Sequence, residues 1–373
     1  MRLYEEVQNS ENAEVHLIVP CGSNNEEKGK IGISHLLEHL NLAFARHGAY
    51  RARVFGHTTY EYTKYTIICK NNYENIIEAI QKMVSILSGY ELNEDNLEDI
   101  KNDVIFEIEQ QKTNPYFYLR NQMLRRGLPK EICNILPVGE KKTIEKISFD
   151  NILRYFKQNY SQSNSAICIS SKYDFSEYIK SKDANAIVKE YFNYTERKCI
   201  KWFLSELYSE KGKKIYSIYF IQNFDYNSTE QFVLNELEVN YFIVAFDKTL
   251  KKKTKTNVNA VVYQNRIIRN ISIYTYEFEV EDDLGRNMYD VSFDATIHEV
   301  IEGIQEKLSV EKENLDILCN ILYEKFQNIN FFEKCYLDYL YGVDLSIISI
   351  KMIEKLCKYI DIETLKSTIE KLF

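Results

Sequence analysis

Gly32-Ile33-Ser34-His35-Leu36-Leu37-Glu38-His39-Leu40 is the stretch in which residue type and spacing together prescribe a reaction. Read as a helix, it sets His35 and His39 four apart on one face, within reach of a single ion, with Glu38 beside them. His-x-x-Glu-His is the inverted form of the commoner His-Glu-x-x-His zinc helix. Hydrolysis at such a site takes two neutral ring nitrogens, a third ligand from elsewhere, an open position for water, and a carboxylate to take that water's proton. In this reading His35 and His39 are metal ligands and Glu38 is the general base. The competing reading is a helix with two exposed histidines, and a third ligand would separate the two.

Around this stretch lie 373 residues, enough for two compact units, because single cores stop growing below about 250–300 residues. Hydrophobic residues at 45% and charged residues at 27% are the proportions of a globular protein. A net charge of −8 and the lack of a basic stripe argue against nucleic acid. The N-terminus Met1-Arg2-Leu3-Tyr4-Glu5-Glu6 has no signal-like apolar run, and no apolar segment of about 18 residues occurs, so the expected setting is the cytoplasm with no membrane span. Cys21, Cys69, Cys133, Cys168, Cys199, Cys319, Cys335 and Cys357 form no Cys-x-x-Cys pair and read as reduced core residues.

Before the motif, Glu14 to Val19 reads as a strand, with His16 on its surface, ended by Pro20-Cys21-Gly22-Ser23. After it, β-branched and aromatic residues from Tyr50 to Lys70 read as one strand turning into the next. Asn72 to Leu87 and Glu94 to Gln111 carry apolar residues at helical period. Glu107 flanks the second stripe, between Val104 and Ile108, where ordinary solvated surface is the plain reading. Leu136-Pro137-Val138-Gly139 reads as a turn, Ser148 as a helix N-cap, and Ala166 to Ser170 as a strand. Residues 186–212 are charged and without period, and read as a linker between a first domain at 1–185 and a second at 213–373 that repeats the element order loosely.

These residues resemble the insulinase/pitrilysin peptidase family, in particular its short members built like the mitochondrial processing peptidases and their bacterial relatives. The resemblance rests on Gly22, Ser23, Glu26, Gly32, Ile33, Ser34, His35, Glu38 and His39 in order, and on Thr58, Glu61, Thr63 and Tyr65 in the following strand segment. It is specific over roughly residues 14–170. It implies an α+β fold: two similar α/β-roll domains, each a mostly antiparallel sheet packed on helices, the second inactive. It implies that the third zinc ligand is Glu107, in a helix ahead of Asn114-Pro115. It also implies a peptide bound as an added strand along Phe55, Gly56, His57 and Thr58.

The activity implied is a zinc-dependent endopeptidase acting on short or unfolded peptides, such as a leader-processing protease. Members active as single chains carry an Arg and a Tyr seven residues apart in the second domain, and here Lys251 and Val258 stand in those places, in a lysine run that reads as a loop. A valine cannot donate to an oxyanion, so the expected form is the zinc-bearing subunit of a heterodimer whose homologous partner supplies the Arg/Tyr pair. The alternative is a non-catalytic scaffold or chaperone-like subunit that keeps the fold.

Overall fold

The computed structural model describes residues 1–48, 51–114, 117, 136–179, 199–208, 214–223, 228–254, 259–268, 271–279, 297–304, 312–360 and 369–371. They fall into two compact units. The first takes the described residues through 179 together with Asn330–Gly342, and the second takes the others.

In the first unit, strands β1 (Arg2–Val7), β2 (Asn12–Val19), β3 (Arg53–Thr58), β4 (Thr63–Lys70) and β5 (Ala166–Ser171) form one sheet in the order β1-β5-β2-β4-β3. Only β1 and β5 pair in parallel. The β3–β4 hairpin therefore ends the sheet, with β3 as an edge. β1 has no counterpart in the sequence reading: its alternation of charge and apolar residues is short, and it is fixed by pairing with β5, far along the chain.

Helices α1 (Ile33–Asn41), α2 (Tyr73–Ser88) and α3 (Leu97–Lys112) cover one face. In α2, Ile76, Ala79, Ile80, Met83, Ile86 and Leu87 are buried as their period requires. Its ends are set locally, with Asn72 Oδ1 accepting from Asn75 N at 2.9 Å and Gly89 closing it at φ 74°. In α3 the expected stripe of Leu97, Ile100, Val104 and Ile108 is buried. α1 is enclosed on nearly every side: only His39 among Ile33–Asn41 is not buried. Ile33, Leu36, Leu37 and Leu40 are at most 1% exposed, and burying each contributes about 1.5–3 kcal/mol.

The other sheet face is covered by helix Phe331–Tyr341, from the far end of the chain. Phe332 lies 5.1 Å from the His16 ring and under the Lys64 ammonium at 4.1 Å, and Tyr336 lies 5.4 Å from Tyr62. Asp338 pairs with Arg2 at 2.7 Å and accepts from Tyr4 at 2.6 Å, while Tyr341 donates to the buried Glu61. His16 is thus buried, hydrogen bonded to Thr66 and Glu14, and not on an open strand surface as its alternation suggested.

In the second unit, β6 (Cys199–Tyr208), β7 (Lys214–Asn223), β8 (Asn259–Ile268), β9 (Ile271–Glu279) and β10 (Ile369–Lys371) form a sheet in the order β10-β6-β7-β9-β8. It repeats the pattern of the first: one parallel pair at an edge, then antiparallel strands ending in a hairpin. The expected α+β architecture of two similar, mostly antiparallel sheets with helices is therefore present. Two boundaries differ from the sequence reading. Residues 186–212 contain β6, because a strand can be charged on one face and still pair. Residues 330–342 belong to the first unit, because their aromatic side chains cover its sheet. The lysines 251–253 close the last turn of helix Thr229–Thr254, where cations meet the negative helix end, and do not lie in a loop. Val258 lies outside the described residues.

Candidate metal centre

Each end of α1 that matters to chemistry is fixed by a residue distant in sequence. The helix begins at Gly32, at φ 95° with no side-chain cap of its own. Glu26 substitutes: its carboxylate accepts from Gly32 N at 2.7 Å, Ser34 N at 3.0 Å and the Ser34 hydroxyl. Burial pushes the Glu26 carboxyl up to about 8, against the pull of those three donors. Gly32 also touches Gly139, at φ 85°: a Cβ on Gly139 would lie 2.6 Å from the Gly32 Cα. Two glycines are needed for this approach, and it brings the Val138 carbonyl to His35 Nδ1 at 3.2 Å.

That contact sets the chemistry of His35. With Nδ1–H donating to Val138, Nε2 is the unprotonated nitrogen, turned towards His39 and Glu107. Burial first, and the neighbouring His39 second, push the His35 pKa down to about 4, so the ring is neutral at neutral pH.

The third donor comes from α3. Glu107 Oε2 lies 3.5 Å from His35 Nε2 and 3.5 Å from His39 Nε2, and the two nitrogens are 3.1 Å apart. Tetrahedral zinc with bonds of about 2.0–2.2 Å sets its ligand atoms about 3.3–3.6 Å from one another. The two distances to Glu107 fall in that range and the His–His distance lies about 0.2 Å below it, so a small adjustment fits the triangle to zinc, and among the described residues this trio is the group of histidine, cysteine or carboxylate side chains so gathered. Its hydrogen bond with His39, opposed by burial, holds the Glu107 carboxyl below the usual range. Gln111, one turn along α3, donates to Glu107 Oε1 at 3.4 Å and steadies it.

Glu38 faces the edge strand. It accepts from the Thr58 hydroxyl at 2.8 Å and from the Thr58 backbone N–H. A Cβ on Gly56 would fall 2.0 Å from Glu38 Oε1, so only glycine leaves room for the carboxylate. Burial pushes Glu38 up to about 7, opposed by His39 and Thr58. Residues 2–139, which hold all of this, match the family model described as Insulinase (Peptidase family M16).

Over these residues the chain is similar to the insulinase family.

The whole chain shares the fold of that family's solved structures. The periplasmic protease PqqL from Escherichia coli matches with a TM-score of 0.70 at 13% identity, over 98% of this chain and 44% of that one. A protease from Helicobacter pylori matches with a TM-score of 0.65 at 14% identity, over 96% and 93%. A peptidase M16 inactive domain from Pseudomonas fluorescens matches with a TM-score of 0.68 at 14% identity, over 98% and 90%. The chain thus spans less than half of PqqL but most of the other two. No curated sequence matches it. An insulinase fold is shared by active and inactive proteins, so activity has to be argued from the residues.

Of the residues singled out in the sequence, His35, His39, Glu107 and Glu38 come together, and Gly56 and Thr58 face Glu38. Phe55 and His57 turn to the opposite sheet face, as their alternation with Gly56 and Thr58 requires. Sequence reasoning passed over the Val138 carbonyl, the Gly32–Gly139 contact, the capping role of Glu26 and the support from Gln111. Only the last had a local signal, four residues after Glu107 on a helix.

Proposed function

We propose that this chain is a zinc endopeptidase of short or unfolded peptides, and the zinc-bearing subunit of a heterodimer. One observation carries the reading: the Nε2 atoms of His35 and His39 and Oε2 of Glu107 sit 3.1–3.5 Å apart, close to tetrahedral spacing, next to a carboxylate on an open sheet edge. When bound, zinc supplies a water of lowered pKa and polarises a carbonyl. His35, His39 and Glu107 would hold it, with Val138 and Gln111 fixing the ring and the carboxylate. Glu38 accepts a proton and returns it to the leaving amine, and a pKa near 7 suits both transfers. The edge of β3 takes the peptide as an added strand and holds the scissile bond beside Glu38.

The valine at 258, where an oxyanion donor is expected, supports a partner that supplies an Arg/Tyr pair. Leader processing of a small peptide is the role this division of labour fits. A cytoplasmic setting is supported by six buried free cysteines among the described residues, and no described helix is long and apolar enough to cross a membrane. The second reading is a non-catalytic scaffold, favoured by the fold shared with the inactive Pseudomonas fluorescens domain.

Zinc content and peptide hydrolysis, measured on wild type, Glu107→Gln and Glu38→Gln with and without proteins co-purified from the host, decide between them. The peptidase reading expects Glu107→Gln to lose zinc and Glu38→Gln to keep zinc while losing hydrolysis. Hydrolysis at the wild-type rate by zinc-loaded Glu38→Gln, or none by wild type with every partner, would overturn it.

A further inference from the structure

β3 is an edge strand whose two faces carry different chemistry. Pairing with β4 sets Val54, Gly56 and Thr58 opposite the buried Ile67, Tyr65 and Thr63, on the α1 face. Arg53, Phe55 and His57 stand opposite Ile68, Thr66 and Lys64, on the face covered by helix Phe331–Tyr341. That helix reaches Lys64 and Tyr62 but leaves the edge strand uncovered: Arg53 and His57 are exposed, and Phe55 is 51% exposed.

The backbone has the same two-residue alternation. Thr59 N donates to Tyr62 O at 2.9 Å, so Thr59 bonds inward to the hairpin partner. Counting back in the ladder, Phe55 and His57 also bond inward, and Val54, Gly56 and Thr58 turn their N–H and C=O groups to the open edge. Glu38 takes the Thr58 N–H. Val54 and Gly56 are left to pair with an incoming strand. A peptide residue hydrogen bonded to Gly56 puts its side chain on the Glu38 face. Its neighbours put theirs on the other face, beside Phe55 and His57, and the peptide residue beside Arg53 follows two positions after the one beside Phe55. For an antiparallel peptide, the position opposite Phe55 is of the non-hydrogen-bonded kind, where side chains approach most closely.

We infer that the outer face of β3 selects the substrate: Phe55 takes an apolar or aromatic peptide side chain and Arg53 a carboxylate two residues away, both pointing away from the metal centre. The inference rests on the strand-addition reading of the proposed function and adds a recognition element to it. The preferred peptide therefore carries an apolar residue and an acidic residue spaced two apart, with the residue facing Glu38 adjacent to the apolar one on the side away from the acidic one. Selection on this face leaves the chemistry indifferent to the residue at the cut, as a processing enzyme requires.

The test is a mixture of short peptides of randomised sequence, given to zinc-loaded wild type, Phe55→Ala and Arg53→Glu, with cut positions read by mass spectrometry. Both substitutions are at exposed positions, and thermal unfolding checks that each variant is folded. Phe55→Ala is expected to reduce the apolar preference by up to about fivefold, the upper end of the range of a cross-strand pair. Arg53→Glu is expected to turn the acidic preference into a basic one, a swing of about tenfold. Identical cleavage profiles for all three proteins would overturn the inference and leave the peptidase reading intact. If wild type cuts nothing, the peptidase reading fails, and retention of the same mixture on immobilised zinc-loaded protein still decides the inference: retained peptides whose acidic preference reverses in Arg53→Glu support it, and no retention sinks it.

Discussion

Glu38 occupies the space that a side chain at Gly56 would need: a Cβ there would lie 2.0 Å from Glu38 Oε1. The edge strand and the helix bearing the histidines are therefore fitted to each other at one atom, a carboxylate oxygen of the proposed base. Gly56→Ala is expected to displace Glu38 without touching His35, His39 or Glu107. Hydrolysis should fall about 100-fold or more, the contribution of a positioned acid–base group, while zinc content by elemental analysis stays at the wild-type level. Loss of zinc in this variant would show that the strand supports the metal donors instead.

The Gly32–Gly139 approach brings Val138 to His35, so Gly139→Ala should cost metal affinity although residue 139 ligates nothing. The positive φ and the 2.6 Å contact both oppose the new methyl. We expect zinc affinity, measured by chelator competition, to drop about 10- to 100-fold, the usual effect of removing a histidine's outer partner. Unchanged affinity would mean that the Val138 carbonyl does not orient the ring.

Gln111→Leu removes the donor behind Glu107 and keeps the helix. Its expected effect is a weakening of zinc binding by about tenfold with no change in thermal unfolding of the metal-free protein. An equal loss of metal-free stability would assign Gln111 a structural role instead.

Glu26 predicts a pH dependence. Its folded pKa of about 8 lies above the ordinary carboxylate value of 4.5, so the folded state holds this proton more tightly than the unfolded chain does. The associated stability is complete below about pH 4.5 and is lost as pH rises through about 8. Glu26→Gln has no such proton. In metal-free protein the stability difference, wild type minus Glu26→Gln, should decline over that window by a few kcal/mol in order of magnitude, read by urea unfolding at several pH values. A difference that rises with pH would mean that the three donors at the helix start, and not burial, govern this carboxyl.

Tyr341→Phe removes the phenol that donates to Glu61 at the turn between β3 and β4. Because Glu61 is buried, the loss should be about 1–3 kcal/mol in denaturant unfolding. A cost of a few tenths would show that helix Phe331–Tyr341 is held by its aromatic contacts and by Asp338, with little from this hydrogen bond.

The sequence by itself determined that His35, Glu38 and His39 share one stretch of helix, and the resemblance to a family added Glu107, the edge strand and the two-sheet architecture. The first was legible for a local reason, as were several elements: spacing on a helix puts His35 and His39 together whatever surrounds them, apolar period marks α2 and α3, and β-branched residues mark the hairpin. The alternation of Phe55, Gly56, His57 and Thr58 was equally plain, but which pair faces the base was not, because strand period gives two faces without saying which is which. Tertiary structure alone decided that, through the burial of Tyr65 and Ile67 opposite Gly56 and Val54. It also decided the tautomer of His35, the cap on α1 and the burial of His16. Those depend on Val138, Glu26 and Phe332, whose roles come from backbone approach and from cover supplied by remote segments, and neither leaves a period in the chain.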